Sequence, residues 1–364
     1  MRTAWGTVTV VEAARAGLQR LRVEVDGADA AALNYTALAG ECRPGDRVLL
    51  NTTAVDLGLG TGGSHLVVAR LGDAAIAEGV SLNDPSGGHV MKLRYTPLQR
   101  DVLAVESQES PHHDLLAQAD DVHGMPVVCC GLHSQLPLVA AAIKAVTPTA
   151  RIAWCMTDEA ALPLALSEIV PACAAAGLVD LTVTCGQAFG GDLESVTLHS
   201  GLIAARIVGA ADVAIVGIGP GVVGTGTVLG HGGIAQGEAI NAVAAVGGRP
   251  VAALRVSFAD ARERHRGVSH HTLVALSRIA LAQCSVAVPR LPATEFAAVE
   301  AGLSEAGVWE RHARVDAGDG YALPDTRGVA CRSMGRTPDD DPAFFAAAAA
   351  AGTVAAGMLV DVSG

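Results

Sequence analysis

The sequence predicts an α/β protein: a doubly wound, mostly parallel, Rossmann-like sheet preceded by a small all-β barrel or sandwich. Three observations carry this. Up to about residue 72, short alternating runs follow one another closely with no helical period. From about residue 123, nearly continuous apolar runs of strand length alternate with helix-period segments, as expected when both faces of a sheet are covered. Glycine, 42 of 364 residues against a usual ~7%, punctuates both halves.

In the first half the strands read at 7–11, 18–25, 32–38, 47–51 and 65–71. Turn signals such as Asp26-Gly27 and Pro44-Gly45-Asp46 separate them. Residues 73–122 are transitional, with the turn-rich SLNDPSGGH, strand candidates at 90–95 and 102–105, and the polar SQESPHHDLL. The domain boundary is placed so that residues 1–85 form the all-β domain and 86–364 the α/β domain. In the latter, strands read at 127–131, 151–156, 181–185, 213–217, 251–256 and 285–289. Helices read at 136–146, 162–176, 193–208, 238–246 and 273–282. The C-terminal segment 311–364 has the weakest pattern.

Composition removes several functions. Lys+Arg 25 against Asp+Glu 37 gives −12, and only 3% of residues are aromatic. Such a chain is poorly suited to reading nucleic acid. The two lysines, Lys92 and Lys144, lie outside any G-x-x-x-x-G-K-[ST] pattern, so there is no P-loop. The N-terminal MRTAWGTVTVVEAARAG alternates like a strand of the mature fold and lacks the apolar stretch of a signal peptide. Eight cysteines without a C-x-x-C suit reduced, buried thiols and a cytoplasmic location. Residues 342–360 are uncharged and long enough to span a membrane. Alanine dominates them, and Asp341-Pro342 is a good helix start. The expectation is a buried C-terminal helix and no membrane partner.

In an open parallel sheet, ligands bind beyond the carboxyl ends of the strands. Those ends carry Gly131-Leu132-His133-Ser134-Gln135, Thr157-Asp158-Glu159, Cys185-Gly186-Gln187, the loop GIGPGVVGTGTVLGHGG at 217–233, and SFADARERHRGVSHHT at 257–272. Histidine, acid, amide and glycine recur there, while the opposite edge offers mainly Pro, Ala and Gly. Gly219, Gly221 and Gly224 satisfy G-x-G-x-x-G after a strand, where backbone N–H groups can meet an anion. A dinucleotide site is disfavoured: Thr225, Gly226, Gly230, Gly232 and Gly233 postpone the helix to about Ala235, and no acid closes a following strand. The bare pattern is weak, since Gly58, Gly60 and Gly63 match it too, between two strands where a hairpin loop is expected.

His231, set among glycines, is the foremost candidate for proton transfer, with Asp158, His133 and His270 as helpers. Anion contacts are assigned to Gly219, Gly221, Gly224, Thr225, Gly226, Gly232, Gly233, Arg264 and Arg266. In the stretch from Asp260 to His271, Ser269 is a candidate N-cap that would leave His270 and His271 on a first helical turn, suited to a neutral base or a metal ligand. No H-E-x-x-H or C-x-x-C spacing supports a metal, though a centre assembled from separated loops stays open, as does a solvated basic loop. His199 falls on the apolar face of its helix and reads as a core histidine. Cys185 reads as buried rather than nucleophilic. His112-His113-Asp114 reads as a helix start.

The segments LGLGTGGSH, GGHVMKLRYTPLQ, CGLHSQL, GIGPGVVGTGT and GVSHHT resemble a bacterial family catalogued as domain of unknown function 3866. That resemblance implies neither an activity nor catalytic residues. Sequence therefore leaves three readings. The first is a binder of a phosphate- or nucleotide-like anionic small molecule, with hydrolysis or group transfer as its chemistry. The second is a non-catalytic ligand sensor or interaction protein, and the third a metal-dependent hydrolase. No cofactor is assigned, and a homo-oligomer stays open.

Overall fold

The computed structural model describes residues 1–58, 63–71 and 87–360. It divides into two compact units, Met1–Val102 and Leu103–Gly364.

In the first unit, β1 (Thr3–Arg15), β2 (Leu18–Val25), β3 (Ala28–Tyr35), β4 (Arg47–Asn51) and β5 (Ser64–Leu71) form a closed barrel in the order β1-β2-β3-β5-β4. That settles the choice between barrel and sandwich. Strand β1 is longer than expected because two register shifts bend it, letting one strand pair with both β2 and β4. Asp26 and Gly27, with φ of 50° and 79°, make the β2–β3 turn. Two left-handed central residues match the hairpin twist, and Asp-Gly supplies them at low cost. At Gly6 a Cβ would stand 3.0 Å from both the Glu24 carbonyl and Leu50, so glycine lets the wall close. Val8, Leu21, Val23, Val48 and Leu50 fill the interior. β6 (Val90–Lys92) and β7 (Arg100–Val102) pair antiparallel. Much of the Gly58–Gly63 loop (59–62) and most of SLNDPSGGH (81–86) lie outside the described residues.

The second unit is a Rossmann-like α/β domain. Its strands are β8 (Pro126–Cys129), β9 (Ile152–Thr157), β10 (Leu181–Thr184), β11 (Leu193–Glu194), β12 (Val213–Ile218), β13 (Arg249–Ala253), β14 (Val256–Ser257), β15 (Gly267–Val268), β16 (Ser285–Pro289) and β17 (Ala313–Ala317). Eight form one sheet in the order β11-β10-β9-β12-β8-β13-β16-β17. Every neighbouring pair in it is parallel. β14 and β15 make a separate antiparallel pair. Alternate residues of each central strand enter opposite cores. Val128, Ile152, Trp154 and Ile215 face one side, and Val127, Cys129, Ala153 and Ala214 the other.

Helices cover both faces: α1 (Leu136–Val146), α2 (Ile169–Ala175), α3 (Leu198–Ile207), α4 (Ala235–Ala245), α5 (His270–Val274), α6 (Ala293–Glu305) and α7 (Pro342–Val360). α1 and α7 pack in one core, with α3, α4 and α6 in the other. α7 is the one helix among the described residues long and apolar enough to cross a membrane. It is mostly buried as the core of this domain, as expected. Its alanines permit close packing on α1: a Cβ on Gly352 would stand 2.3 Å from the Val139 carbonyl oxygen.

Two edge strands were not legible in the sequence. The stretch 193–208, expected as one helix, begins as β11. There the Asp192 carboxylate accepts from the Thr182 N–H and hydroxyl, and Glu194 accepts from the Thr184 hydroxyl. β17 carries Arg314 and Asp316, as polar as a loop. The segment expected as helix 273–282 is instead α5 followed by a π-turn at Ala275–Ile279. His199, expected in the core, is exposed.

Candidate functional site

The chain leaves β8 toward β9 and leaves β13 toward β16, on opposite sides. That makes the carboxyl ends of these neighbours a topological switch point, the place where ligands bind in open α/β sheets. Side-chain amides finish that edge. Gln236, at the start of α4, donates to the Cys129 and Ala253 carbonyls, and Gln135 donates to the Leu254 carbonyl. The loops after β12 and β13 bring four imidazoles together here. The ring centroids of His231 and His271 stack at 3.9 Å with 6° between planes. His270 lies 5.2 Å from His231 and 4.4 Å from His271, and His265 lies 5.1 Å and 4.9 Å from His270 and His271.

Each ring is placed by local structure. The loop after β12 folds as a hairpin: Gly224 bridges His231, and the Thr225 hydroxyl donates to the Gly230 carbonyl at 2.9 Å. This turns His231 inward, with its Nε2–H donating to the Val228 carbonyl at 3.1 Å. Because a carbonyl only accepts, the His231 lone pair sits on Nδ1, which is buried without a partner. Ser269 caps α5 by accepting from the His271 N–H and also meets His265 Nδ1 at 2.7 Å. Both ring nitrogens of His270 are buried without a hydrogen bond. The Arg264 backbone lies near enough to favour the charged ring but outside hydrogen-bond geometry. Arg255 donates to His271 Nδ1 at 3.4 Å.

The rings are held neutral. Burial, then His231 and His270, push His271 down to about 2. Burial, then Arg255 and Arg262, push His265 down to about 3. His231 and His270 are lowered as well, chiefly by burial. Behind them lies an ionic network. Asp260 receives Arg262 through two bonds of 3.0 and 2.9 Å, Arg336 at 3.4 Å, and the buried Arg255 at 3.7 Å. Arg336 also reaches Asp341, which accepts from Ser257. The Met334 sulfur meets Arg255 and Arg262.

The structure thus joins His231 and His270 and gives His133 and Asp158 other work. His133 bridges the Ile218 carbonyl at 3.1 Å and the Ser167 hydroxyl at 2.7 Å. Burial holds it down to about 4. The Asp158 carboxylate accepts from the Gln187 N–H and crowds Gly186, whose φ is 65°. Gly219 serves close packing rather than an open cradle, since a Cβ there would stand 2.2 Å from the Ala161 carbonyl oxygen. Gly221 and Gly226 adopt φ of 90° and 78° in open space. Gly224 and Gly233 border the rings: a Cβ on Gly233 would lie 2.8 Å from the His271 Cβ and 3.1 Å from His231 Nδ1. Gly232 lies beside the Glu159 carbonyl.

The Arg264 and Arg266 side chains are exposed and make no ion pair or hydrogen bond among the described residues. Arg264 still acts electrostatically on His270 and Arg255. His113 donates to the Glu106 carbonyl in a single helical turn. All eight cysteines are free, with Cys185 among those buried.

Sequence reasoning missed Arg255, Arg336 and Met334. Arg255 left a signal, as the one charge inside the apolar run VAALRV. Arg336 and Met334 left none, because the chain brings them back from beyond the last strand.

Among the described residues, one group of metal-ligating side chains stands out: His231, His270 and His271 each offer a ligand atom, all within 4.8 Å of one another. Fold and site together define a Rossmann-like α/β protein with a histidine cluster at the carboxyl edge of its sheet. The chain belongs to the family described as "Protein of unknown function (DUF3866)", whose model matches residues 31–352. No curated protein and no solved structure matches it.

Proposed function

We propose that the cluster of His231, His265, His270 and His271 is the working centre of an enzyme that acts on an anionic small molecule, with hydrolysis as its reaction class. Buried ring nitrogens without partners carry this reading. Leaving a buried polar group unpaired costs about 1–3 kcal/mol, and three such atoms sit here on His231 and His270. Groups held open at such a cost are matched to a ligand rather than to the fold.

The anionic class follows from charge. The chain carries −12 overall, yet Arg255, Arg262, Arg264 and Arg336 gather beside the cluster, with Asp260 and Asp341 pairing three of the four. Neutral imidazoles add no compensating charge, so a local positive field draws an oxyanion inward. Arg264, exposed and without an ion pair among the described residues, makes first contact. In hydrolysis, water would add its hydroxyl to the acyl or phosphoryl group, and its proton would leave with the alcohol.

Calorimetric titration with inorganic phosphate tests the reading. Arg264→Gln is expected to weaken binding about tenfold or more, as for a lost charged hydrogen bond. No phosphate binding at millimolar concentration, or binding indifferent to Arg264, overturns it.

A further inference from the structure

We propose that His231, His270 and His271 together hold one divalent transition-metal ion, of the zinc class, with a fourth position open to water or to the anion. The occupant of that fourth position rests on the function proposed above. The three-nitrogen site rests on its own geometry.

The ligand set is right in kind. A metal takes neutral imidazole through a lone pair, and the three rings here are close, with ligand atoms within 4.8 Å of one another. His231 is set for ligation. It is 6% exposed, its Nε2–H is committed to the Val228 carbonyl, and its Nδ1 lone pair has no other use. A backbone carbonyl fixing the far nitrogen is the outer support that metal-bound histidines use to set their tautomer. His270 offers two buried nitrogens without hydrogen bonds. No carboxylate joins the set, which favours zinc, cobalt, nickel or copper over magnesium or calcium. Three protein ligands with one position open is the pattern of catalytic rather than structural zinc.

Tetrahedral zinc at about 2.0–2.1 Å from each nitrogen places the nitrogens about 3.3 Å apart. Loading therefore draws the rings inward. Gly224 and Gly233 leave the room, and any side chain at Gly233 would enter it. Two features oppose loading. His231 and His271 stack with 6° between planes, so their lone pairs run parallel and the rings must tilt to meet one ion. Arg255 donates to His271 Nδ1 at 3.4 Å, a contact that ligation by His271 displaces. Asp260, 3.7 Å from the same guanidinium, then keeps that charge compensated.

Zinc titrated into chelator-treated full-length protein is expected to bind at one ion per chain. His231→Ala, His270→Ala and His271→Ala should each weaken it beyond the roughly 10–100-fold that loss of an outer partner costs. His199→Ala, at an exposed position on α3, should leave it unchanged. X-ray absorption of the zinc-loaded natural protein should show three imidazoles and no sulfur. This measurement decides the matter if the alanine variants fail to fold. Substoichiometric zinc, affinity indifferent to these histidines, or sulfur ligation by any of the eight cysteines overturns the site. Zinc binding without phosphate binding upholds the metal site and overturns the anionic function. Arg264-dependent phosphate binding without zinc does the reverse.

Discussion

Single side chains at this site do work that their sequence neighbours do not announce. Asp260 is the clearest case: 4% exposed, it is the common acceptor of Arg262, Arg336 and Arg255, and Arg262 holds its carboxyl well below the usual range. Asp260→Asn should destabilise the protein by about 3 kcal/mol, because breaking a buried ion pair strands its partner, here Arg255. Urea unfolding measures this, and a loss below about 1 kcal/mol would mean that solvent satisfies the guanidiniums. The sequence indicated that His231, His270 and Arg264 belong to one edge. It could not say that His133 and Asp158 are occupied, since the Ile218 carbonyl and the Gln187 N–H reach them from distant segments.

At the scale of elements, legibility followed burial. Strands covered on both faces, such as β9 and β16, read clearly because all but one position in each is apolar. Edge strands β11 and β17 did not, since ladder bonds to one neighbour suffice for them and their side chains stay polar. The C-terminal helix was legible from Pro342 and its alanines, but its close fit to α1 was not. Gly352→Leu would press a side chain into the Val139 carbonyl, and overpacking of this kind costs typically about 1–3 kcal/mol. Thermal unfolding should register a drop of at least about 2 °C. An unchanged midpoint would show that the two helices can separate freely. The π-turn after α5 is a further case. At Gly237 a Cβ would lie 2.7 Å from both the Ala275 carbonyl oxygen and the Ile279 Cβ, so α4 seats against the widened turn that follows His270 and His271.

For the whole molecule, buried neutral histidines make stability depend on pH. His133 is held down to about 4, below its unfolded value near 6.5. The unfolded chain therefore binds the extra proton first as pH falls. His133 stabilises fully above about pH 6.5, and that contribution is lost progressively toward pH 4, by about 3 kcal/mol in all. The difference in unfolding free energy between the natural protein and His133→Gln should shrink across that window. A difference independent of pH would show that His133 takes up its proton in the fold at the same pH as in the unfolded chain. The sequence by itself determined the two-part architecture, the parallel sheet and the edge at which polar chemistry collects, because periodicity and turn residues act locally. Tertiary structure alone decided which of those polar groups meet. The strand order places β12 and β13 on either side of β8, bringing the loop of His231 onto that of His270 and His271, and returns Arg336 from beyond the last strand. Such meetings depend on contacts between residues far apart in the chain, which no local pattern records.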